Sequence, residues 1–220
     1  MIKAAVFDVG ETLIDETRIW CRWADWLGVP RFAFLGVIGG MAATGRPLTD
    51  AFALFRPDLD LEAEQVAWAA AEPASLRNNF DADDLYPDVV RALRELQRRG
   101  ITVIIAGNQP PQAKSALERM DLPVDAVYTS AEWELEKPDP KFFTKVAEVA
   151  GVEPDEICYV GDRVDNDVLP VLAAGMRPVL IRRGPWGYLT AELPDAALAT
   201  VIDSLDELPD LLAPARSPNT

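Results

Sequence analysis

Short apolar segments alternate with amphipathic ones along most of the chain. The apolar segments are three to six residues long, and each is followed by glycine or polar residues. Segments of this kind are typical of parallel strands that are buried on both faces. The predicted strands are residues 5–7, 101–106, 126–129, 157–160 and 179–181, with residues 200–202 as an edge strand. Because helical patterns separate these strands, we predict an α/β fold with a doubly wound, parallel, Rossmann-like sheet.

The helices between the later strands are predicted from apolar spacing and from proline and glycine at their ends. Pro87 and Pro140 stand where helices begin, and Gly100 and Gly151 stand where those helices end. The predicted helices are residues 87–99, 111–120, 140–150, 167–174 and 206–212.

The segment from residue 15 to residue 84 has helical patterns and no strand pattern. It contains four predicted helices, of which the last follows Asp60 as its N-cap and runs past Trp68. We expect the tryptophans to form the core of this helical bundle, with one or two facing a functional site. The predicted organisation is an α/β core of residues 1–14 and 85–213, an all-helical insertion of residues 15–84, and a disordered tail of residues 214–220.

Charge and composition limit the partners of the protein. The net charge is −15, which disfavours nucleic acid and anionic membranes as partners. No apolar run is long enough to span a membrane, and Lys3 precedes a strand with Asp8 rather than an apolar leader. Cys21 and Cys158 suggest neither a disulfide framework nor a zinc site. We therefore expect a cytoplasmic protein, monomeric or homodimeric, that acts on a small molecule.

The chain contains no histidine, and this absence excludes several catalytic designs. Triads of serine or cysteine with histidine, metal sites with histidine ligands and acid–base catalysis by histidine are all ruled out.

Polar side chains follow three of the predicted strands. Asp8 follows the first strand, Asn108 follows the second, and Asp162 and Asp167 follow the strand at residues 157–160. Ligands bind at the carboxyl ends of strands in open α/β sheets, so we expect these groups to meet. Clustered carboxylates without histidine suit a hard cation, above all Mg²⁺. Lys137, in a polar loop before a helix, could neutralise a phosphoryl group at the same place.

These four segments resemble, in order and position, the four motifs of the haloacid dehalogenase-like hydrolase superfamily. FDVGETL, which contains Asp8, matches the first motif, and GDRVDND, which contains Asp162 and Asp167, matches the fourth. Asn108 falls in the second motif and Lys137 in the third. The resemblance covers nearly the whole chain, and residues 15–84 resemble the cap that many members carry after the first motif.

The resemblance implies a role for each of these positions. Asp8 would be the nucleophile that forms an aspartyl-phosphate, and Lys137 would hold Asp8 and the phosphoryl group together. Mg²⁺ would be bound by Asp8, the Gly10 carbonyl and Asp162, with Asp167 in direct or indirect support. The phosphorylated substrate would be bound by a set of backbone and side-chain groups of Val9, Gly10, Gly107, Asn108 and Lys137.

Two positions depart from the family pattern. Phosphatases of the family have a second aspartate as general acid and base where this chain has Gly10, and a serine or threonine where it has Gly107. Loss of positioned proton transfer costs about 10²–10⁴-fold in rate. We therefore expect aryl and acyl phosphates to be cleaved ahead of sugar phosphates and aspartyl-phosphate to accumulate. Glu11 is the nearby carboxylate that could replace the missing acid, although we expect it to face solvent or the cap.

Three functions remain open at this point. The first is a Mg²⁺-dependent phosphatase or phosphotransferase that is slow for its family. The second is a catalytically weak or inactive member that binds metal and anions. The third is a 2-haloacid dehalogenase, a class that also lacks the second aspartate but normally has tyrosine there and no acidic fourth motif.

Overall fold

The computed structural model describes residues 1–213, and its centre is a six-stranded sheet. The strands are β1 (Ala4–Phe7), β2 (Thr102–Gly107), β3 (Ala126–Thr129), β4 (Ile157–Gly161), β5 (Arg177–Ile181) and β6 (Thr200–Ile202). All neighbouring strands pair in parallel in the order β3-β2-β1-β4-β5-β6. The predicted α/β fold with a doubly wound parallel sheet is confirmed, including its edge strand. The connection from β3 to β4 crosses to the other side of β1, so β1 lies at the switch point of the sheet.

Apolar side chains cover both faces of the sheet. Phe7 of β1 belongs to one buried cluster and Val6 to the cluster on the other face. The first cluster includes Leu93, and the second includes Phe142 and Phe143. Alternate residues of one strand therefore contact different layers of helices, as expected for a sheet that is buried on both sides.

Eleven α-helices are found among the described residues. They are α1 (Thr17–Leu27), α2 (Arg31–Thr44), α3 (Thr49–Phe55), α4 (Leu61–Ala71), α5 (Val89–Arg98), α6 (Pro111–Arg119), α7 (Ser130–Trp133), α8 (Pro140–Ala150), α9 (Leu169–Ala173), α10 (Gly184–Thr190) and α11 (Leu208–Leu211). The sequence did not predict α7 and α10. The helix predicted at residues 167–174 begins earlier, as a wide π-helical turn at Val164–Val168, and continues as α9. The helix predicted at 206–212 is split into a 3₁₀ turn and α11.

Four helices, α1 to α4, lie between β1 and α5 in the chain and pack around aromatic side chains. The ring centroid of Trp23 lies 4.9 Å from that of Phe52 and 4.9 Å from that of Trp68. Both tryptophans are buried, which confirms that tryptophan forms the core of this helical bundle. The boundaries of the cap stay a prediction, and the tail at 214–220 lies outside the described residues.

The chain leaves and re-enters the α/β core at adjacent points. Ile14 forms an isolated antiparallel bridge with Leu85. Arg18 donates from Nε and Nη2 to the two carboxylate oxygens of Asp84, each at 2.6 Å. The two connections to the helical insertion are thus fastened to each other at its base.

Within residues 1–213, no single helix is long and apolar enough to cross a membrane. Helices α1 and α2 reach that length and composition only when they are taken together, and they are bent by 119° at their junction.

Candidate functional site

Three acidic side chains meet at the carboxyl ends of the central strands. Asp8 directly follows β1, and Asp162 directly follows β4, which pairs with β1. Asp167 lies in the wide turn after β4. Carboxylate oxygens of these three buried residues all lie within 4.8 Å of one another. The structure therefore brings together the acids that the sequence places at strand ends, while their roles stay predictions.

Lys137 provides the positive charge in this cluster. Its ammonium lies 2.9 Å from Oδ1 of Asp8 and donates to Oδ1 of Asp167 at 2.6 Å. Burial alone lowers the pKa of Lys137, but the carboxylates of Asp167 and Asp8 more than offset burial and raise it well above its usual value. Lys137 is therefore a permanently charged link between the proposed nucleophile and the fourth motif.

Asp167 serves mainly to position its neighbours. Its Oδ2 accepts a hydrogen bond from the backbone N–H of Arg163 at 3.0 Å, so both of its oxygens have protein donors. Burial raises the pKa of Asp167 to about 6, and Lys137 opposes this shift. Of the two roles proposed for Asp167 toward a metal, this geometry favours the indirect one.

Asp162 has the properties expected of a metal ligand. Within residues 1–213 its carboxylate accepts no hydrogen bond and pairs with no cation. Burial, followed by the charges of Asp167 and Asp8, raises its pKa well above the usual value. A divalent cation between Asp162 and Asp8 would remove this repulsion, because it favours the charged form of both groups. The donor set of oxygen atoms alone fits Mg²⁺.

Asn108 does not present its side chain to a substrate. Its Nδ2 donates to the backbone carbonyl of Lys137 at 2.9 Å, and its Oδ1 accepts from the backbone N–H of Lys137 at 2.8 Å. The side chain therefore fixes the backbone that carries Lys137. The prediction that Asn108 binds substrate is thus restricted to its backbone.

Two glycines leave space for the acids. A Cβ atom on Gly107 would lie 2.2 Å from Oδ1 of Asp8, and one on Gly161 would lie 2.2 Å from Cγ of Asp167. Asp8 can adopt its observed conformation because residue 107 is a glycine and has no side chain. A serine at that position would require the carboxylate of Asp8 to rotate away.

Glu16, which the sequence analysis did not single out, lies beside Gly10. A Cβ on Gly10 would lie 2.5 Å from Oε1 of Glu16. Burial, and then the charge of Glu11, raises the pKa of Glu16 to about 8. Glu16 is a half-buried residue, and its Oε1 lies against the loop that follows β1. No sequence motif indicates that Glu16 contacts Gly10, because this contact depends on the conformation of the turn between the two residues.

Glu11 is held by hydrogen bonds from groups outside the acidic cluster. Its backbone has a φ of 50°, and its carboxylate accepts from the Tyr86 hydroxyl at 2.5 Å and from the Glu16 backbone N–H at 3.2 Å. The pKa of Glu11 is raised by burial. Of the two surroundings expected for Glu11, solvent and the cap, solvent is not found, because the residue is only 8% exposed. It does line a small groove toward the cap, with Leu35 and Ile38 of α2.

A buried arginine, Arg183, binds the backbone of the loop that follows β1. Arg183 pairs with Asp88 and donates from Nη1 to the backbone carbonyl of Thr12 at 2.7 Å. Its guanidinium carbon lies 4.1 Å from the centroid of the Tyr86 ring. The loop that carries Gly10 and Glu11 is thus tied to the core through Arg183.

A cavity of about 290 Å³ lies between the helical insertion and the second motif. The helical insertion contributes Glu16, Trp20, Phe52 and Asn79 to its lining, and the core contributes Asn108. Among the described residues, no lysine or arginine lines this cavity. The expectation that one or two tryptophans face the site is consistent with Trp20.

Lys137→Ala is expected to weaken inhibition by vanadate or orthophosphate, because the phosphoryl site loses its nearest cation. Stability should also fall by about 3–5 kcal/mol, since two buried carboxylates lose their partner. Inhibition constants and thermal unfolding would measure the two effects. Lys114→Ala is the matched control, because Lys114 forms an exposed pair with Glu132. Unchanged vanadate inhibition in Lys137→Ala would contradict the role of this lysine.

Comparisons with known proteins agree with this geometry. The family model for haloacid dehalogenase-like hydrolases matches residues 2–175. Glyceraldehyde 3-phosphate phosphatase from Methanopyrus kandleri is 34% identical in an alignment 228 positions long, which covers 96% of this chain and 97% of that protein. A HAD phosphatase from Thermococcus onnurineus is 26% identical, with a TM-score of 0.58 over 98% of this chain and 100% of that one.

L-2-haloacid dehalogenase from Xanthobacter autotrophicus shares the fold, with a TM-score of 0.62 at 22% identity over 96% of this chain and 98% of that one. The family model covers most of the chain, and the Methanopyrus kandleri relative is similar in sequence along nearly its whole length, so the likeness is not limited to the fold. The chain therefore belongs to the haloacid dehalogenase-like hydrolase family.

Proposed function

We propose that the protein is a Mg²⁺-dependent phosphatase that transfers a phosphoryl group from a phosphoester or acyl phosphate to Asp8. The observation that carries this proposal is the Asp8 carboxylate, which lies 2.9 Å from the Lys137 ammonium and beside Asp162 at the strand ends. A carboxylate held next to fixed positive charge is positioned for attack on a phosphorus atom.

Mg²⁺ would be held by Asp8, Asp162 and the Gly10 carbonyl, with Asp167 acting through Lys137. When bound, it would neutralise the carboxylates and polarise the substrate phosphate. Without such a cation, Asp162 has a raised pKa and no hydrogen-bond donor among residues 1–213, which supports this assignment.

The chain's own groups supply the remaining functions. An oxygen of Asp8 attacks phosphorus, and the Lys137 ammonium stabilises the charge that develops on the phosphoryl oxygens. Backbone N–H groups of Val9, Gly10 and Asn108 are proposed to donate to those oxygens. Gly107 provides the space in which Asp8 stands.

The cavity indicates the class of substrate. A volume of about 290 Å³ suits a small molecule, and the lining offers amides, aromatic rings and one carboxyl group. A second anionic group on the substrate would find no cation there among the described residues. We therefore propose a small phosphorylated substrate whose organic part is uncharged. The substrate named for the Methanopyrus kandleri relative, glyceraldehyde 3-phosphate, belongs to this class.

The direct test is a panel of phosphate esters and acetyl phosphate with and without Mg²⁺, together with 2-chloropropionate. We expect phosphate release that depends on Mg²⁺ and no chloride release. Chloride release would indicate the dehalogenase alternative. Binding of Mg²⁺ and phosphate without turnover of any ester would indicate the inactive, anion-binding alternative.

Asp162→Asn is expected to abolish measurable Mg²⁺ binding and to stabilise the metal-free protein. The amide keeps the shape of the side chain but removes a buried charge that Asp167 and Asp8 repel. Titration calorimetry would measure the affinity, and thermal unfolding with and without Mg²⁺ would measure the stability. Asp165→Asn is the control, because Asp165 pairs with Arg163 at a partly exposed position. Equal Mg²⁺ affinity in wild type and Asp162→Asn would refute the metal site.

A further inference from the structure

The space beside Gly10 is filled by a carboxyl group from elsewhere in the chain. A Cβ atom on Gly10 would lie 2.5 Å from Oε1 and 2.9 Å from Cδ of Glu16. In an aspartate, each carboxylate oxygen lies two bonds from Cβ, which is a similar distance. Glu16 Oε1 therefore lies within the space that a side chain at position 10 would occupy, and about as far from Cβ as an aspartate oxygen would lie.

Contacts with its own helix hold the Glu16 carboxyl in this orientation. Glu16 directly precedes α1, and its Oε2 accepts a hydrogen bond from Nε1 of Trp20 at 3.1 Å. Its Oε1, the atom nearest Gly10, accepts no hydrogen bond from any residue in the range 1–213. One oxygen is thus anchored, and the other is available to a ligand. Glu16 and Asn108 line the same cavity, so this carboxyl borders both the catalytic loop and the proposed substrate space.

The nearest alternative carboxylate is already engaged. Both oxygens of Glu11 accept hydrogen bonds, one from the Tyr86 hydroxyl and one from the backbone N–H of Glu16. Glu11 therefore helps to hold the backbone of Glu16. Unlike Glu16, Glu11 does not line the cavity.

We propose that Glu16 is the general acid and base of this enzyme, replacing the carboxylate that position 10 lacks. The proposal rests on the phosphatase function proposed above. In the first half-reaction, an Asp8 oxygen forms a bond to phosphorus as the bond from phosphorus to the leaving oxygen breaks. The leaving oxygen keeps the bonding electron pair and takes the proton of the Glu16 carboxyl group, which becomes a carboxylate.

The second half-reaction restores both groups. The Glu16 carboxylate takes a proton from a water molecule as its oxygen attacks the phosphorus of the aspartyl-phosphate. The bond between phosphorus and the Asp8 oxygen breaks, so that Asp8 returns as a carboxylate, Glu16 is protonated again and phosphate is released. With this residue in place, alkyl phosphates are substrates and aspartyl-phosphate does not accumulate, contrary to the expectation from Gly10 alone.

The test is the dependence of Glu16→Gln on the leaving group. For an alkyl ester such as glycerol 3-phosphate, kcat/KM should fall by about 10²–10⁴-fold, because a poor leaving group needs the proton. For 4-nitrophenyl phosphate, whose phenolate leaves unaided, kcat/KM should change by less than about tenfold. Rapid-quench kinetics of the variant with this aryl ester should show a burst that wild type lacks, because water is no longer deprotonated.

A matched control separates chemistry from packing. Glu72 accepts from Nε1 of Trp68 at 3.1 Å, the same type of contact that Glu16 makes with Trp20. Glu72→Gln should leave kcat/KM unchanged for both esters. An equal loss for both esters in Glu16→Gln, or no loss for either, would overturn the proposal. If the wild type hydrolysed neither phosphate ester, the phosphatase function itself would be overturned.

Moving the carboxyl group provides a second test. Gly10→Asp alone should not raise kcat/KM for the alkyl ester, because the new carboxyl group would compete with that of Glu16 for the same space. The double variant with Gly10→Asp and Glu16→Ala should have a kcat/KM for the alkyl ester at least about tenfold higher than that of Glu16→Ala alone. A large gain from Gly10→Asp alone would show that position 10 lacks a functional acid in the wild type and would contradict the proposal.

Discussion

Asp8→Asn is expected to reduce kcat/KM for every phosphate ester by on the order of 10⁴-fold or more, which corresponds to about 5.4 kcal/mol. The amide is nearly isosteric with the carboxylate but is a poor nucleophile toward phosphorus. Steady-state kinetics would measure the loss. Mass spectrometry after rapid quenching with 4-nitrophenyl phosphate should detect a phosphorylated Asp8 in Glu16→Gln, but no phosphorylation at this position when Asp8→Asn is added to that variant.

The fold should survive this substitution, because one negative charge is removed from a cluster of three buried carboxylates. Asp165→Asn is the control within the fourth motif and should retain wild-type activity, since Asp165 pairs with Arg163 rather than with Lys137. Residual activity of Asp8→Asn above about one-tenth of wild type would show that another group attacks phosphorus.

Arg183→Ala should lower the free energy of unfolding by about 3–5 kcal/mol, as much as we expect from Lys137→Ala, because each substitution removes the cation of a buried ion pair. The substitution leaves Asp88 buried without its cation and removes the donor to the Thr12 carbonyl. Chemical denaturation would measure the change. Arg182→Ala is a sequence-adjacent control, because its pair with Asp203 is exposed and should contribute less than about 1 kcal/mol.

The effect of Arg183→Ala should depend on pH in a defined direction. Burial alone raises the pKa of Asp88, but Arg183 and Ser204 outweigh burial and lower it. A lowered pKa in the folded state contributes stability above the usual pKa of about 4, and this contribution is lost as pH falls through the lowered value. The difference between wild type and variant should therefore shrink in acid. A difference that is equal for Arg182→Ala and Arg183→Ala, or that grows in acid, would contradict this account.

The arrangement of the acidic cluster could be predicted because it depends on the sheet rather than on loop detail. Strands buried on both faces have unbroken apolar sequences, and parallel strands end at the same edge. Once β1 and β4 are recognised as neighbours, Asp8 and Asp162 must lie close together. The contact of Lys137 with Asp8 was implied only by the family resemblance, because the loop of Lys137 is polar and has no periodic pattern.

Loop geometry was the part that sequence could not predict. The chain after β1 turns through Glu11, whose φ of 50° no pattern indicates, and this turn brings Glu16 back to Gly10. The direction of the Asn108 side chain likewise depends on backbone groups 29 residues away in the chain. Helix α10 was missed because two glycines and a proline in seven residues argue against a helix.

The bridge between Ile14 and Leu85 has a consequence for how such a protein can acquire a new specificity. Paired residues in adjacent strands are about 5 Å apart, so a segment of any length that starts and ends at this bridge closes the same short gap. An exchange of residues 15–84 for another helical segment would change the stability of the sheet little, because the entropic cost of closing a loop grows only slowly with its length. The segment proposed to face the substrate is therefore a module that recombination could replace while β1 keeps its place in the sheet and Asp8 stays beside Asp162 and Asp167.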